Sequence, residues 1–101
     1  MSNTTQEGKE HRLDVVALDT YALLRLFVSL LSAQAWQHLG LRAKTGTDKT
    51  EKDLDRGRDA IDCIVFLVGK LEPHLTEGEK NEMRRLLADL QINFARLTTG
   101  K

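Results

Sequence analysis

The feature that most constrains the fold of this chain is a segment, residues 20–39, that is apolar on nearly every face of a helix. Apolar side chains follow three rows along it at helical spacing, and only Arg25 and Ser32 form a narrow polar line between them. A helix that is apolar almost all round must be buried almost all round. This segment therefore determines how the rest of a short chain has to pack.

Three segments repeat their apolar residues near the helical period, whereas no segment alternates for long with the period of a strand. The predicted elements are helix 1 at about 20–39, a polar linker at 41–52, helix 2 at about 53–71 and helix 3 at about 77–97. We therefore predict an all-α, three-helix bundle within residues 19–98. Because only a short turn separates helices 2 and 3, they should form an antiparallel hairpin, which we expect to cover a central helix 1. Residues 1–18 are expected to be a disordered or loosely ordered tail.

Local signals mark the ends of these helices. Asp19 or Thr20 is suited to cap the start of helix 1, and Gly40 is suited to the left-handed position just after its end. At the start of helix 3, Thr76 and Glu79 have the spacing of a capping box.

Helices 2 and 3 each carry one apolar stripe that needs a partner, whereas helix 1 has three apolar rows. In a three-helix monomer, two rows of helix 1 would meet helices 2 and 3, among them the row of Leu23, Phe27, Leu30 and Gln34, and the third row would face water. Exposing Leu26 and Trp36 of that third row would forgo about 1.5–3 kcal/mol each. We therefore predict that helix 1 mediates a homodimer or small homo-oligomer. The predicted self-association residues are Ala22, Leu26, Ser29, Ala33 and Trp36.

Composition limits the classes of partner. Fifteen basic residues balance fifteen acidic ones, so net charge gives no reason to expect nucleic acid as a partner. The single cysteine, Cys63, excludes an intrachain disulfide and suits a cytoplasmic protein. No cofactor is predicted.

Three phrases in the chain carry a family resemblance. They are residues 29–40 (SLLSAQAWQHLG), the acidic start of helix 2 at 53–62 (DLDRGRDAID), and residues 75–80 (LTEGEK). In their order and spacing they resemble the bacterial family catalogued as domain of unknown function 1844, over roughly residues 19–94. The resemblance implies a cytoplasmic bacterial helical protein and no particular activity. The chain departs from the family pattern at Trp36 and Gln37, where the family phrase is aliphatic, and in its more basic linker.

Gln34 and His38 form the most notable polar pair, one helical turn apart near the end of helix 1. One interpretation is a polar site for a small ligand or for proton transfer near neutral pH. The other is a capping histidine beside a glutamine that sets helix register. No triad order, glycine-rich phosphate loop or dinucleotide-binding fingerprint occurs, so we predict that the protein is not an enzyme.

Metal-ligand spacing is missing among the histidines and the cysteine, and no metal site is predicted. Asp55, Asp59 and Asp62 share one face of helix 2, a pattern that is more typical of a solvated surface. Cys63 is predicted to be a small, half-buried apolar side chain, since acidic neighbours disfavour a reactive thiolate.

A peripheral membrane-associated adaptor is the main alternative to a self-associating interaction module. Residues 21–41 approach a membrane-spanning length, and the linker that follows is basic, which suits a membrane surface. Arg25 and the polar residues of helix 1 count against insertion.

Overall fold

The computed structural model describes residues 15–99. This part of the chain contains three long α-helices: α1 (Thr20–His38), α2 (Leu54–Leu71) and α3 (Glu77–Thr99). A short 3-10 turn, Glu72–His74, joins α2 to α3, and no strand occurs among the described residues. The predicted all-α, three-helix bundle is therefore confirmed. The predicted N-terminal tail lies largely outside the described residues.

The starts of α1 and α3 are held by side-chain caps. A carboxylate oxygen of Asp19 accepts the backbone N–H of Tyr21 at 3.0 Å. At α3 the capping box is complete, because the Thr76 hydroxyl accepts the N–H of Glu79 at 3.2 Å and the Glu79 carboxylate accepts the N–H of Thr76 at 2.9 Å. Each bond satisfies a backbone donor that the helix itself cannot pair.

The end of α1 is closed by the glycine predicted for it. Gly40 has a φ of +77°, which an L side chain rarely adopts. This turn lets the N–H of Gly40 donate to the carbonyl of Gln37 at 2.9 Å and the N–H of Leu41 donate to the carbonyl of Trp36 at 3.1 Å. The pair of bonds is a Schellman motif, and it directs the chain away from the helix axis into the linker.

Helix α2, not α1, lies at the centre of the bundle. It makes the largest contact with each of the other two helices, and the direct contact between α1 and α3 is smaller. The expectation of a central helix 1 is therefore wrong. The reason is that α2 has a continuous buried stripe with small residues at its start; a Cβ added at Gly57 would already lie 3.4 Å from Leu39. The buried residues of α2 are Gly57, Ala60, Ile61, Ile64, Val68 and Leu71.

Helix α1 runs antiparallel to α2. The end of α1 lies beside Gly57 at the start of α2, as described above. At the other end, the ring of Tyr21 stacks on the ring of His74 just after α2, with centroids 3.8 Å apart. The start of α1 is therefore joined to the turn between α2 and α3.

Helices α2 and α3 form the predicted antiparallel hairpin. Near the turn, Arg84 of α3 binds Glu72. At the far end, the guanidinium of Arg58 lies 5.6 Å from the centre of the Phe94 ring. Between these contacts, Leu90 of α3 is fully buried against the core.

Candidate functional site

A wide apolar groove of about 600 Å³ lies between α1 and α2. Its lining is apolar apart from one carboxylate at the edge. The lining residues are Phe27, Leu30 and Leu31 from α1 and Asp62, Cys63, Phe66 and Leu67 from α2. Leu31 and Leu67 pack against the core, so they form the floor of the groove.

The rim of this groove exposes three large apolar side chains. Phe66 is 64 % exposed, Leu30 is 56 % exposed and Phe27 is 41 % exposed. Scattered apolar residues on a protein surface need no explanation, but contiguous ones typically mark an interaction site. The three residues meet in one groove, and two of them are aromatic, the class of residue that contributes most to protein interfaces.

The groove results from the helical positions of its residues. On α1, Phe27 and Leu31 follow one another by a single turn and flank the buried Val28. On α2, Cys63 and Phe66 lie beside the buried Ile64 in the same way. Each helix thus has an apolar strip next to its buried stripe, and the antiparallel packing of α1 and α2 places the two strips side by side.

The predicted third row of α1 does not form this exposed face. Trp36 packs against the core and Leu26 is half-buried, so the expectation that these two side chains face water is corrected. Ala22 and Ala33 are also half-buried, whereas Ser29 is exposed. A role of these five residues in self-association stays a prediction.

Two members of that row lie along the junction of α1 and α3. Ser29 lines a cleft of about 240 Å³ with Met83 and Leu86. Trp36 lines a separate cleft of about 260 Å³, again with Leu86. Carboxylates and arginines border both clefts, which makes them more polar than the groove between α1 and α2.

Sequence analysis missed Phe66 and placed Phe27 and Leu30 in a row expected to be buried. Two signals were available. The row that contains Phe27 and Leu30 continues to Gln34, which is exposed in the structure. Phe66 lies outside the periodic stripe of α2, so the stripe leaves this large aromatic residue without a buried position.

The two members of the predicted polar pair differ in exposure, and a role for them stays a prediction. The side chain of His38 is half-buried and lines a small pocket of about 90 Å³ among the charged residues of the linker and the start of α2. Gln34 is exposed and does not line that pocket. The backbone carbonyl of His38 accepts the N–H of Asp53 at 2.7 Å, which ties the end of α1 to the start of α2. His38 therefore lies at the junction between the end of α1 and the start of α2.

Cys63 is exposed, which corrects the prediction that it is half-buried. It is turned toward the groove because it lies one position before the buried Ile64. Among residues 15–99, no three histidine, cysteine or acidic side chains come together in a way that could hold a metal ion.

The carboxylates with perturbed pKa values lie away from the groove. The hydrogen bond from Arg84 holds the pKa of Glu72 below its usual value. The backbone N–H of Thr76 does the same for the pKa of Glu79 in the capping box. In the linker, Lys44 binds Glu51 at 2.8 Å and lowers the pKa of that carboxyl. All three groups stabilise turns or helix ends.

Comparison with known protein families identifies one that matches most of the chain. Residues 21–96, which include both helices of the groove, match the family described as Domain of unknown function (DUF1844). The chain belongs to the DUF1844 family. The family match begins at Tyr21 and ends within α3, so it covers the helical bundle described above. Neither the curated proteins nor the solved structures include a match to this chain.

Membership of the DUF1844 family identifies residues 21–96 as the family domain and assigns no activity to it. Within residues 15–99, none of the helices combines the length and the hydrophobicity needed to cross a membrane. The exposed groove is therefore the feature of the structure that bears on function.

Proposed function

We propose that this DUF1844 protein is a non-catalytic assembly module of the bacterial cytoplasm that self-associates as a homodimer or small homo-oligomer. The observation that supports the proposal is the apolar groove between α1 and α2, with Phe27, Leu30 and Phe66 exposed at its rim. Burying a side chain of this size contributes about 1.5–3 kcal/mol. Against a total stability of roughly 5–15 kcal/mol for a small domain, leaving three of them in water is a substantial loss.

A second copy of the chain is a suitable occupant for this groove. An isologous contact uses the same surface on both copies, so the exposed aromatic residues of each copy are buried against the groove of the other copy. The chain has no net charge, so no long-range repulsion opposes the approach of two copies. The non-catalytic part of the proposal is supported by the lining of the groove, in which Asp62 and Cys63 are the only residues that carry an ionisable group.

The proposal is tested by the mass of the protein in solution. Light scattering behind size exclusion, over about a hundredfold range of concentration, should give at least twice the chain mass of 11.4 kDa at the upper end. A mass of one chain at every concentration would contradict self-association.

A matched pair of variants locates the contact. Phe66→Ser removes the most exposed aromatic residue of the groove and should weaken association by about 1.5–3 kcal/mol per copy. Ile92→Ser removes a comparably exposed side chain from α3, outside the groove, and should leave the mass unchanged. Equal effects of the two substitutions would mean that general surface hydrophobicity, not the groove, drives association.

The alternative of a peripheral membrane adaptor, which depends on helix 1 and the basic linker, predicts a different result. Flotation with vesicles that contain anionic lipids should leave a self-associating module at the bottom of the gradient. Co-flotation that is lost on neutralising Arg42, Lys49 and Lys52 would favour the membrane alternative.

A further inference from the structure

We infer that two copies of this chain associate with their α2 helices antiparallel, with Phe66 at the twofold axis and Asp62 of each copy paired with Lys70 of the other. This inference rests on the proposed self-association and specifies its geometry. It follows from the order of three side chains along the outer face of α2: an acid, an aromatic residue and a base.

The three residues are spaced by one helical turn on each side. Asp62 precedes Phe66 by four positions and Lys70 follows it by four, so all three share one side of the helix. All three are exposed. The ammonium group of Lys70 lies 5.4 Å from the centre of the Phe66 ring, so the charge and the aromatic residue belong to one surface.

Neither Asp62 nor Lys70 forms an ion pair within the described part of the chain. The ion pairs of residues 15–99 involve other side chains, including the neighbouring Asp55 and Arg58 on the same helix. Asp62 also lines the groove itself. An acid and a base without ion-pair partners thus lie on either side of Phe66, the most exposed of the three apolar residues at the rim of the groove.

Antiparallel pairing makes this pattern complementary to itself. A twofold axis through Phe66 places position 62 of one copy opposite position 70 of the other, so the Asp62–Lys70 pair forms twice in the dimer. Parallel pairing would instead place Asp62 opposite Asp62 and Lys70 opposite Lys70, and like charges at close range oppose association. The charge pattern therefore selects the antiparallel direction and fixes the register.

The same twofold arrangement also buries the α1 side of the groove. Since α1 lies alongside α2, Phe27 and Leu30 reach the contact at the level of Phe66. The two copies then face each other through four helices, with the aromatic residues at the centre and the charges at the edge. Apolar residues at the centre and polar groups at the rim are the usual arrangement of a protein interface.

The test is a charge exchange measured by sedimentation equilibrium. Asp62→Lys alone and Lys70→Asp alone each replace two attractive pairs by two repulsive ones, and each should weaken the dimer roughly ten- to a hundredfold. An equimolar mixture of the two variants should regain wild-type affinity as a heterodimer, because it restores both opposite-charge pairs. The double variant should regain it as a homodimer. Asp48→Lys, which makes the same charge change on the exposed linker, should have no effect.

The outcomes separate this inference from the proposed function. A dimeric wild type whose affinity is unaffected by every charge variant would overturn the register and leave self-association in place. Weakened single variants that are not rescued by mixing would also overturn it, because the two charges would then act separately. A wild type that is monomeric throughout would overturn both the register and the proposed function. Circular dichroism of each variant confirms that its helices remain folded.

Discussion

The guanidinium of Arg84 on α3 donates a 2.9 Å hydrogen bond to the carboxylate of Glu72, the residue with which the turn after α2 begins. The bond joins the two arms of the hairpin at the point where the chain reverses. It also holds the pKa of Glu72 below its usual value of 4.5, because the hydrogen bond favours the charged carboxylate.

This contact predicts a loss of stability in acid. A carboxyl whose pKa is lower in the folded state than in the unfolded state stabilises the fold above about pH 4.5, and the contribution is lost as the pH falls through the folded-state pKa. Glu72→Gln should therefore lower the free energy of unfolding at neutral pH and lower it by less near about pH 3. Urea unfolding of both proteins at the two pH values measures this. Glu82→Gln, an exposed carboxyl on the same helix as Arg84, is the control and should have little effect at either pH.

The turn after α1 predicts that any side chain added at Gly40 destabilises the fold. The residue has a φ of +77°, and an added Cβ would lie 2.8 Å from Cγ of Lys52. Gly40→Ala should cost more than the roughly 1–2 kcal/mol of a left-handed L residue, because the Lys52 side chain must also move. Gly46→Ala is the matched control, since Gly46 has a φ of +85° and open space around it. Chemical unfolding should rank Gly40→Ala as the more destabilising; an equal cost would mean that the contact with Lys52 is relaxed at no expense.

The central position of α2 predicts which substitutions in α3 destabilise the fold. Leu90 is fully buried, whereas Ile92 on the same helix is 55 % exposed. Leu90→Ala should cost about 2–5 kcal/mol, and Ile92→Ala should change the stability by about 0.5 kcal/mol or less. Thermal and urea unfolding of both variants test this. Similar losses at the two positions would mean that α3 packs on α2 through a different face.

The capping box at the start of α3 predicts a moderate, local effect. Thr76→Ala removes the acceptor for the N–H of Glu79 and should cost about 0.5–2 kcal/mol. Hydrogen exchange should show the loss in the first turn of α3, while the amides around Ile64 stay protected. An unchanged first turn would indicate that Glu79 alone is sufficient to hold it.

The helix ends were predictable from the sequence because their signals are local. Gly40 closes α1 and the Thr76–Glu79 pair opens α3 as expected, since each needs only the backbone within a few residues. The buried stripe of α2 was also predictable, because its apolar residues repeat at helical spacing along one face and the other faces of the helix are more polar.

The outward face of α1 was not predictable in the same way. Its rows are nearly equal in hydrophobicity, so the choice between them depends on where α2 and α3 lie around the helix axis. That placement is decided by packing at Gly57 and by the linker, neither of which is visible in the pattern of α1 itself. Phe27 and Leu30 are therefore exposed while Trp36 is packed against the core, the reverse of the expectation.

The most direct test compares the groove between α1 and α2 with the third row of α1 in one sedimentation experiment. One variant combines Leu30→Asp with Phe66→Asp in the groove, and the other combines Leu26→Asp with Trp36→Asp in the row first predicted from the sequence. The account predicts that the groove variant is a helical monomer at concentrations where the wild type is dimeric. It also predicts that the second variant loses stability, because Trp36 packs against the core. A groove variant that keeps both the wild-type mass and the wild-type helicity would contradict the central claim.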